Sequence, residues 1–233
     1  MSGHLNPGGQ QFRDDRGAAD PGVAAALAAY LEGRGSEQAA LTALAAARLL
    51  VPVVAVLADG TAPDADRAGD KNSEMVLPKL IGRDGRPAIL AFTGLDALAR
   101  WRPDARPVPA EAGRVWRAAV ADGCAVVIDV GGPVPLAVEG ARLAALDAGQ
   151  PVPPVHEDPD VRAQVEAVIA GEPAIAGFTL APSSEVDLTV RLRVAGGDWP
   201  PAVSRVASSV AARLAGRLRR GVEFSVTPDP VGS

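Results

Sequence analysis

The tetrapeptide Arg83, Asp84, Gly85, Arg86 constrains the fold of this chain more than any other feature. An Asp-Gly pair supplies the positive φ angles that a tight hairpin turn needs. Apolar segments flank it, residues 75–81 before and 87–92 after, so an antiparallel hairpin is predicted and the fold must contain a sheet. Helical periodicity surrounds that hairpin. Asp20 as cap and Pro21 at the first helical position open a helix whose apolar face is Val23, Leu27, Tyr30 and Leu31, closed by Gly33. Ser36 starts an Ala-rich helix through Arg48, and the β-branched run 49–57 reads as a buried strand in which Pro52 must sit where no ladder bond is lost. Thr93 can cap a short helix carrying Leu95, Leu98 and Trp101, and Pro109 begins another carrying Val115, Trp116 and Ala119 that stops at Gly123. Residues 124–130 and 134–138 are predicted strands joined across Gly131, Gly132 and Pro133, followed by a helix over 140–148.

The second half repeats none of this order. Pro151, Pro153 and Pro154 make residues 150–157 a stiff extended linker. Asp158 and Pro159 open a helix with Val161, Val165, Val168 and Ile169 on its inner face, and alternating segments 174–182 and 186–194 follow as a strand pair. A long helix from Pro200 to about Arg220 and a final strand over 222–226 complete an αββαβ unit. The expected class is α+β: an N-terminal mixed-sheet domain with packed helices over 19–149, then a smaller αββαβ domain over 158–229. Residues 1–18 lack apolar periodicity and are expected to form a disordered arm.

At 233 residues, 48% of them hydrophobic, the chain has enough apolar material for two modest cores. Cys124 is the single cysteine, so an intramolecular disulfide and a thiolate zinc cluster are both excluded. No apolar run approaches the roughly 20 residues that cross a bilayer, and residues 1–20 carry Asp14, Asp15 and Asp20 where a secretory signal would be basic and then apolar. A cytoplasmic protein with no membrane partner is expected. The formal charge of −5 argues against nucleic acid, which is held mainly by neutralising its phosphates.

Catalytic patterns are missing. His4 falls in the arm and His156 in the proline segment, neither placed as the oriented base that a Ser-His-Asp or Cys-His pair needs, and there is no G-x-S-x-G elbow. The loop from Asp64 superficially follows a calcium loop, but Ala68 and Met75 stand where its fifth and twelfth ligands belong. Gly33-Arg34-Gly35 follows a helix and lacks the third glycine of a dinucleotide fingerprint. Cys124 begins an apolar strand and reads as a small buried hydrophobe. No cofactor, metal or catalytic residue is expected.

The segment Asp70, Lys71, Asn72, Ser73, Glu74, Met75, with the turn at 83–86, Ala91-Phe92-Thr93, Trp101, Ala105-Arg106-Pro107-Val108, Ile128-Asp129 and Gly132-Pro133-Val134, resembles the N-terminal domain of the SseB (enhanced serine sensitivity) family in its actinobacterial form. The unit from about 158 to 229 is similar, less specifically, to the SseB C-terminal domain. Gly94 stands where a serine usually follows Phe-Thr, and Val130 where a proline commonly follows the aspartate. The family is named for a serine-sensitivity phenotype, and the resemblance implies no known cofactor and no established catalytic residues.

Two groups of residues suggest binding. Asp70, Lys71, Glu74, Arg83, Arg86, Trp101 and Arg106 are placed on or beside loops of the first domain, where a scaffold can present them, and Trp and Arg are the commonest energetic anchors at interfaces. On the last helix Arg205, Ser209, Arg213 and Arg217 recur every four residues beside the apolar stripe of Val203, Val206, Val210, Leu214 and Leu218, making a basic edge. The expected role is non-enzymatic: a cytosolic protein-interaction or regulatory function using the first-domain loops, with another cytosolic protein as partner. The alternatives are a small-ligand or enzymatic site near the Asp70 to Arg106 loops, and a nucleic-acid or ribosome-associated role at the Arg205, Arg213, Arg217 edge.

Overall fold

The computed structural model describes residues 15–53, 79–82, 85–132, 135–195 and 199–228. The fold is α+β, with nine strands and seven α-helices among these residues. Its contacts divide the chain into two compact units, one of residues 1–24 and 44–150, the other of 25–43 and 151–233. The first helix, α1 (Pro21–Leu31), crosses that division, and α2 (Glu37–Leu44) belongs almost wholly to the second unit.

The first unit is built on the hairpin. Strands β2 (Lys79–Ile81) and β3 (Pro87–Ala91) are antiparallel, with Ile81 opposite Pro87 and Gly85 at φ 78 in the turn. Strand β3 then runs parallel to β5 (Ala125–Ile128), which pairs antiparallel with β6 (Leu136–Val138), giving the order β2-β3-β5-β6. A parallel pair requires a crossover. Here it consists of α3 (Leu95–Trp101), β4 (Arg106–Glu111) and α4 (Ala112–Ala121), after which α5 (Gly140–Asp147) follows β6. Strand β1 (Arg48–Val53) pairs antiparallel with β4 and touches the larger sheet through a single bridge between Leu50 and Phe92. Leu50, Leu90, Phe92, Ala97 and Leu98 form one buried cluster here, and fully buried Trp116 lies on α4.

The helix expected from Pro109 begins only at Ala112, because residues 106–111 form β4. The cause is local. A proline disfavours helical angles in the residue before it, so Pro107 and Pro109 hold Arg106 and Val108 extended. The ladder tolerates those prolines. Leu50 exchanges backbone hydrogen bonds with Phe92, so its neighbours Leu49, Val51 and Val53 face β4, opposite Ala110, Val108 and Arg106. Pro52, Pro107 and Pro109 therefore occupy the alternate positions, where no donor to this ladder is lost.

In the second unit, α6 (Pro159–Ile169) precedes antiparallel β7 (Ile175–Ala181) and β8 (Leu188–Val194), and α7 (Pro200–Leu214) crosses over to β9 (Val222–Pro228), parallel to β8. The αββαβ order is as expected. Asp158 caps α6 through Asp160 N, with Pro159 at its first turn. Val161 and Val165 from α6, Leu188, Val190, Leu192 and Val194 from β8, and Ala202, Val206, Val210 and Leu214 from α7 fill the core.

Helix α7 ends at Leu214, six residues before the expected stop at Arg220. The chain turns at Ala215-Gly216-Arg217, and the Arg217 side chain enters the unit to meet Glu37 at 2.7 Å and Asp158 at 2.8 Å. The Tyr30 hydroxyl donates to the Arg217 carbonyl, 2.8 Å away, and the Arg219 guanidinium lies 5.1 Å from the Tyr30 ring centre. The proline segment is held too. Val152 is buried, its carbonyl accepts from Gln38 Nε2 at 2.8 Å, and Val155–Glu157 form one 3-10 turn. Among the described residues no helix is long and apolar enough to cross a membrane.

Candidate functional site

In α/β sheets, ligand crevices form beyond the carboxyl ends of parallel strands. Among the described residues the first unit has one such pair, β3 and β5, which lead into Phe92-Thr93-Gly94 and Asp129. Asp129 is held there at φ 50, a left-handed conformation that aspartate tolerates better than most residues. Its amide donates to the Ala91 carbonyl at 2.9 Å, and its own carbonyl accepts from Gly132 N at 2.7 Å. Its carboxylate then clamps one residue across the strand ends. Oδ1 accepts from Thr93 N and Oδ2 from Thr93 Oγ1, each at 2.8 Å. Burial pushes the Asp129 carboxyl up from its ordinary value, against the opposing pull of the two Thr93 hydrogen bonds and the Arg100 charge.

A second layer covers Thr93. Arg48, at the start of β1, donates from Nη1 to the Thr93 carbonyl at 3.0 Å, pairs through Nε with Asp15 Oδ2 at 2.7 Å, and donates from Nη2 to the Ala18 carbonyl. The arm expected to be disordered through residue 18 is thus held from Asp15 onward. Gly17 N donates to Asp15 Oδ1, and Leu95 N donates to the Gly17 carbonyl, both at 2.8 Å. Gly94 makes this approach feasible, since a Cβ there would lie 2.9 Å from Ala19 N and 3.2 Å from Gly17 O. Between arm, β3–α3 loop and Asp129 lies an open cavity of about 390 Å³, with Arg16, Thr93, Asp96, Arg100 and Asp129 as its polar lining.

The residues singled out in the sequence are placed differently. Asp70, Lys71, Glu74 and Arg83 lie outside the described residues, as does His4. Arg86 is exposed before β3, with Nη1 2.6 Å from Glu139 Oε2. Trp101, at the end of α3, packs its ring 5.5 Å from that of Phe92 just past the other end of β3, with the Arg102 guanidinium 5.5 Å from its ring centre. The five residues of β3, about 16 Å of strand, separate Arg86 from that end. Arg106 is exposed at the start of β4, opposite Val53. Cys124 is buried and its thiol is pushed up by that burial.

On the expected basic edge, Arg205 makes a two-pronged contact with Glu172 at 2.8 and 2.7 Å, and Arg217 lies beyond the helix between two carboxylates. Arg213 is exposed on α7. Among the described residues no group of three or more His, Cys, Asp or Glu is placed to hold a metal. Sequence reasoning did not single out Thr93 and Asp129 as a pair, although both sit in segments that carry the family resemblance. A signal existed: each directly follows a short apolar strand, and the intervening helical pattern implies a parallel crossover that brings those strand ends together.

These features define a mixed-sheet α+β domain with a polar crevice at the ends of its parallel strands. The family model described as the SseB protein N-terminal domain matches residues 23–145, more than half of the chain. The chain belongs to the SseB family. No curated protein and no solved structure matches it.

Proposed function

We propose that this chain is a non-enzymatic cytosolic regulatory protein of the SseB type that binds a small polar ligand in the crevice at Thr93 and Asp129, and that its second unit is the C-terminal domain of the actinobacterial form of that family. The observation that carries the binding role is the convergence of a half-buried, left-handed aspartate, the buried threonine it clamps and two arginines on one open cavity. Residues held in rare backbone conformations and carboxyls with shifted proton affinity both concentrate at functional sites. Each Asp129 oxygen is already anchored to Thr93, an arrangement suited to fixing a binding surface.

The test equilibrates the purified full chain with a small-molecule extract of its native cell and analyses what is retained by mass spectrometry. A small molecule held by the native chain and lost from Asp129→Asn is the expected result. A protein-partner reading is favoured by a different observation, the exposed Leu80 and Ile81 on β2, an edge strand of the four-stranded sheet. An exposed apolar edge is a template for strand addition by a partner. If the extract yields no retained molecule, while affinity purification recovers a protein whose capture survives Asp129→Asn and fails with Ile81→Glu, the crevice reading is wrong and the edge reading replaces it.

A further inference from the structure

The cavity at the ends of β3 and β5 carries unequal commitments among its charged groups. Asp129 is turned to Thr93 through both oxygens. Asp96 is exposed on the same lining. Arg16 and Arg100 are also exposed, and among the described residues neither makes a hydrogen bond or close ion pair. They approach from different elements. Arg100 is fixed on α3, while Arg16 rides on the arm, between Asp15, which pairs with Arg48, and Gly17, whose carbonyl binds Leu95 N. Four anchors therefore set Arg16 beside the cavity: the Asp15–Arg48 pair, the Arg48 bond to Ala18 O, the Gly17–Leu95 bond and the close fit of Ala19 over Gly94.

We propose that Arg16 and Arg100 form a two-sided clamp for a small anion bearing a carboxylate or phosphate group, and that the arm over Gly94 is the part of the chain that delivers one half of the clamp. Guanidinium groups suit this task, because their planar forks bind carboxylate and phosphate oxygens in pairs. A cationic ligand would face both arginines at once. Asp96 is an opposing exposed charge, one carboxylate against two guanidinium groups equally open to water. This inference rests on the crevice being a ligand site and adds the class of ligand.

The experiment uses the full chain and follows the backbone amide resonances of Thr93, Gly94 and Asp129 by NMR. Inorganic phosphate and succinate are titrated separately, with methylammonium and glycerol as cationic and neutral probes. Saturable shifts with phosphate or succinate are expected, the tighter of the two naming the anionic group. Arg16→Gln and Arg100→Gln should each weaken that binding about tenfold, the scale of one hydrogen bond to a charged group. Gly94→Ala, whose added Cβ would crowd Ala19 and displace Arg16, should weaken it like Arg16→Gln. Shifts from glycerol or methylammonium alone would overturn the anion assignment while leaving the crevice a ligand site. Shifts from no probe at all, or anion shifts indifferent to both arginine substitutions, overturn it as well.

Discussion

At the scale of single residues, Asp129 offers the sharpest test of how the crevice is built. Its folded carboxyl holds its proton to higher pH than in the unfolded chain, with burial as the leading cause, so the native state binds more protons through the titration range. The stabilisation from this group is thus complete below about pH 4, the usual carboxylate range, and is lost as pH rises through the folded value. Asp129→Asn cannot titrate. The melting temperature of the variant minus that of the native chain should therefore rise between about pH 3 and pH 7, measured by calorimetry at matched ionic strength. A difference that is flat, or falls with pH, would mean that the Thr93 bonds outweigh burial. Gly131 poses a steric question in the same turn. A Cβ there would fall 2.7 Å from Trp101 N, a backbone atom that cannot rotate away. Gly131→Ala should cost about 1–3 kcal/mol by denaturant titration, as overpacking usually does; an unchanged midpoint would show that the turn yields freely.

At the scale of elements, Arg217 decides where α7 ends and what the last turn does. It bridges Glu37 at the start of α2 and Asp158 at the start of α6, both almost fully buried. Removing it takes this cation from two buried carboxylates, and breaking such a pair from one side typically costs about 3–5 kcal/mol. Arg217→Met should show that loss in urea melts, whereas Arg205→Gln, at the exposed contact with Glu172, should leave the midpoint nearly unchanged. Equal effects from the two would refute the distinction between them. Four-residue spacing had put these two arginines on one basic edge, and spacing alone could not reveal that α7 stops at Leu214. The same limit applies to β4, where Pro109 as a helix opener and Pro107-x-Pro109 as extended chain are both reasonable locally, and pairing with β1 decides. By contrast, the β2–β3 hairpin with Gly85 in its turn, the Asp158-Pro159 helix start and the alternating β8 needed only neighbours in sequence, and these were legible. The Thr93–Asp129 clamp joins residues 36 apart across a parallel crossover. Thr93 could be read as following a strand, whereas Asp129 fell inside the expected strand 124–130, and neither of their hydrogen bonds was legible.

At the scale of the whole molecule, the family match and the packing divide the chain in different places. The matched domain runs over residues 23–145, whereas residues 25–43 cluster with 151–233. Named contacts explain the grouping: Tyr30 and Glu37 meet Arg217, and Gln38 meets Val152. A C-terminal fragment cut at residue 151 would contain the sheet of β7, β8 and β9, both of its helices and the buried valines between them. It would also contain Asp158 and Arg217 with Glu37 removed, and the Arg217 carbonyl without the Tyr30 hydroxyl. A unit of this size has a small margin of stability, commonly near 0.1 kcal/mol per residue, so losing a buried ionic partner and a helix pair should consume much of it. The expected outcome is that residues 151–233 alone melt at a clearly lower temperature and with a broader transition than the corresponding transition of the full chain. Fusing residues 25–43 ahead of residue 151 through a flexible Gly-Ser linker should recover most of the difference, because it restores Tyr30, Glu37 and Gln38 to one polypeptide. Glu37→Gln in that fusion should forfeit part of the recovery. If the fragment without 25–43 already melts as sharply and as high as the fusion, then the N-terminal helices are passengers of the second unit, and the family boundary marks the true structural division.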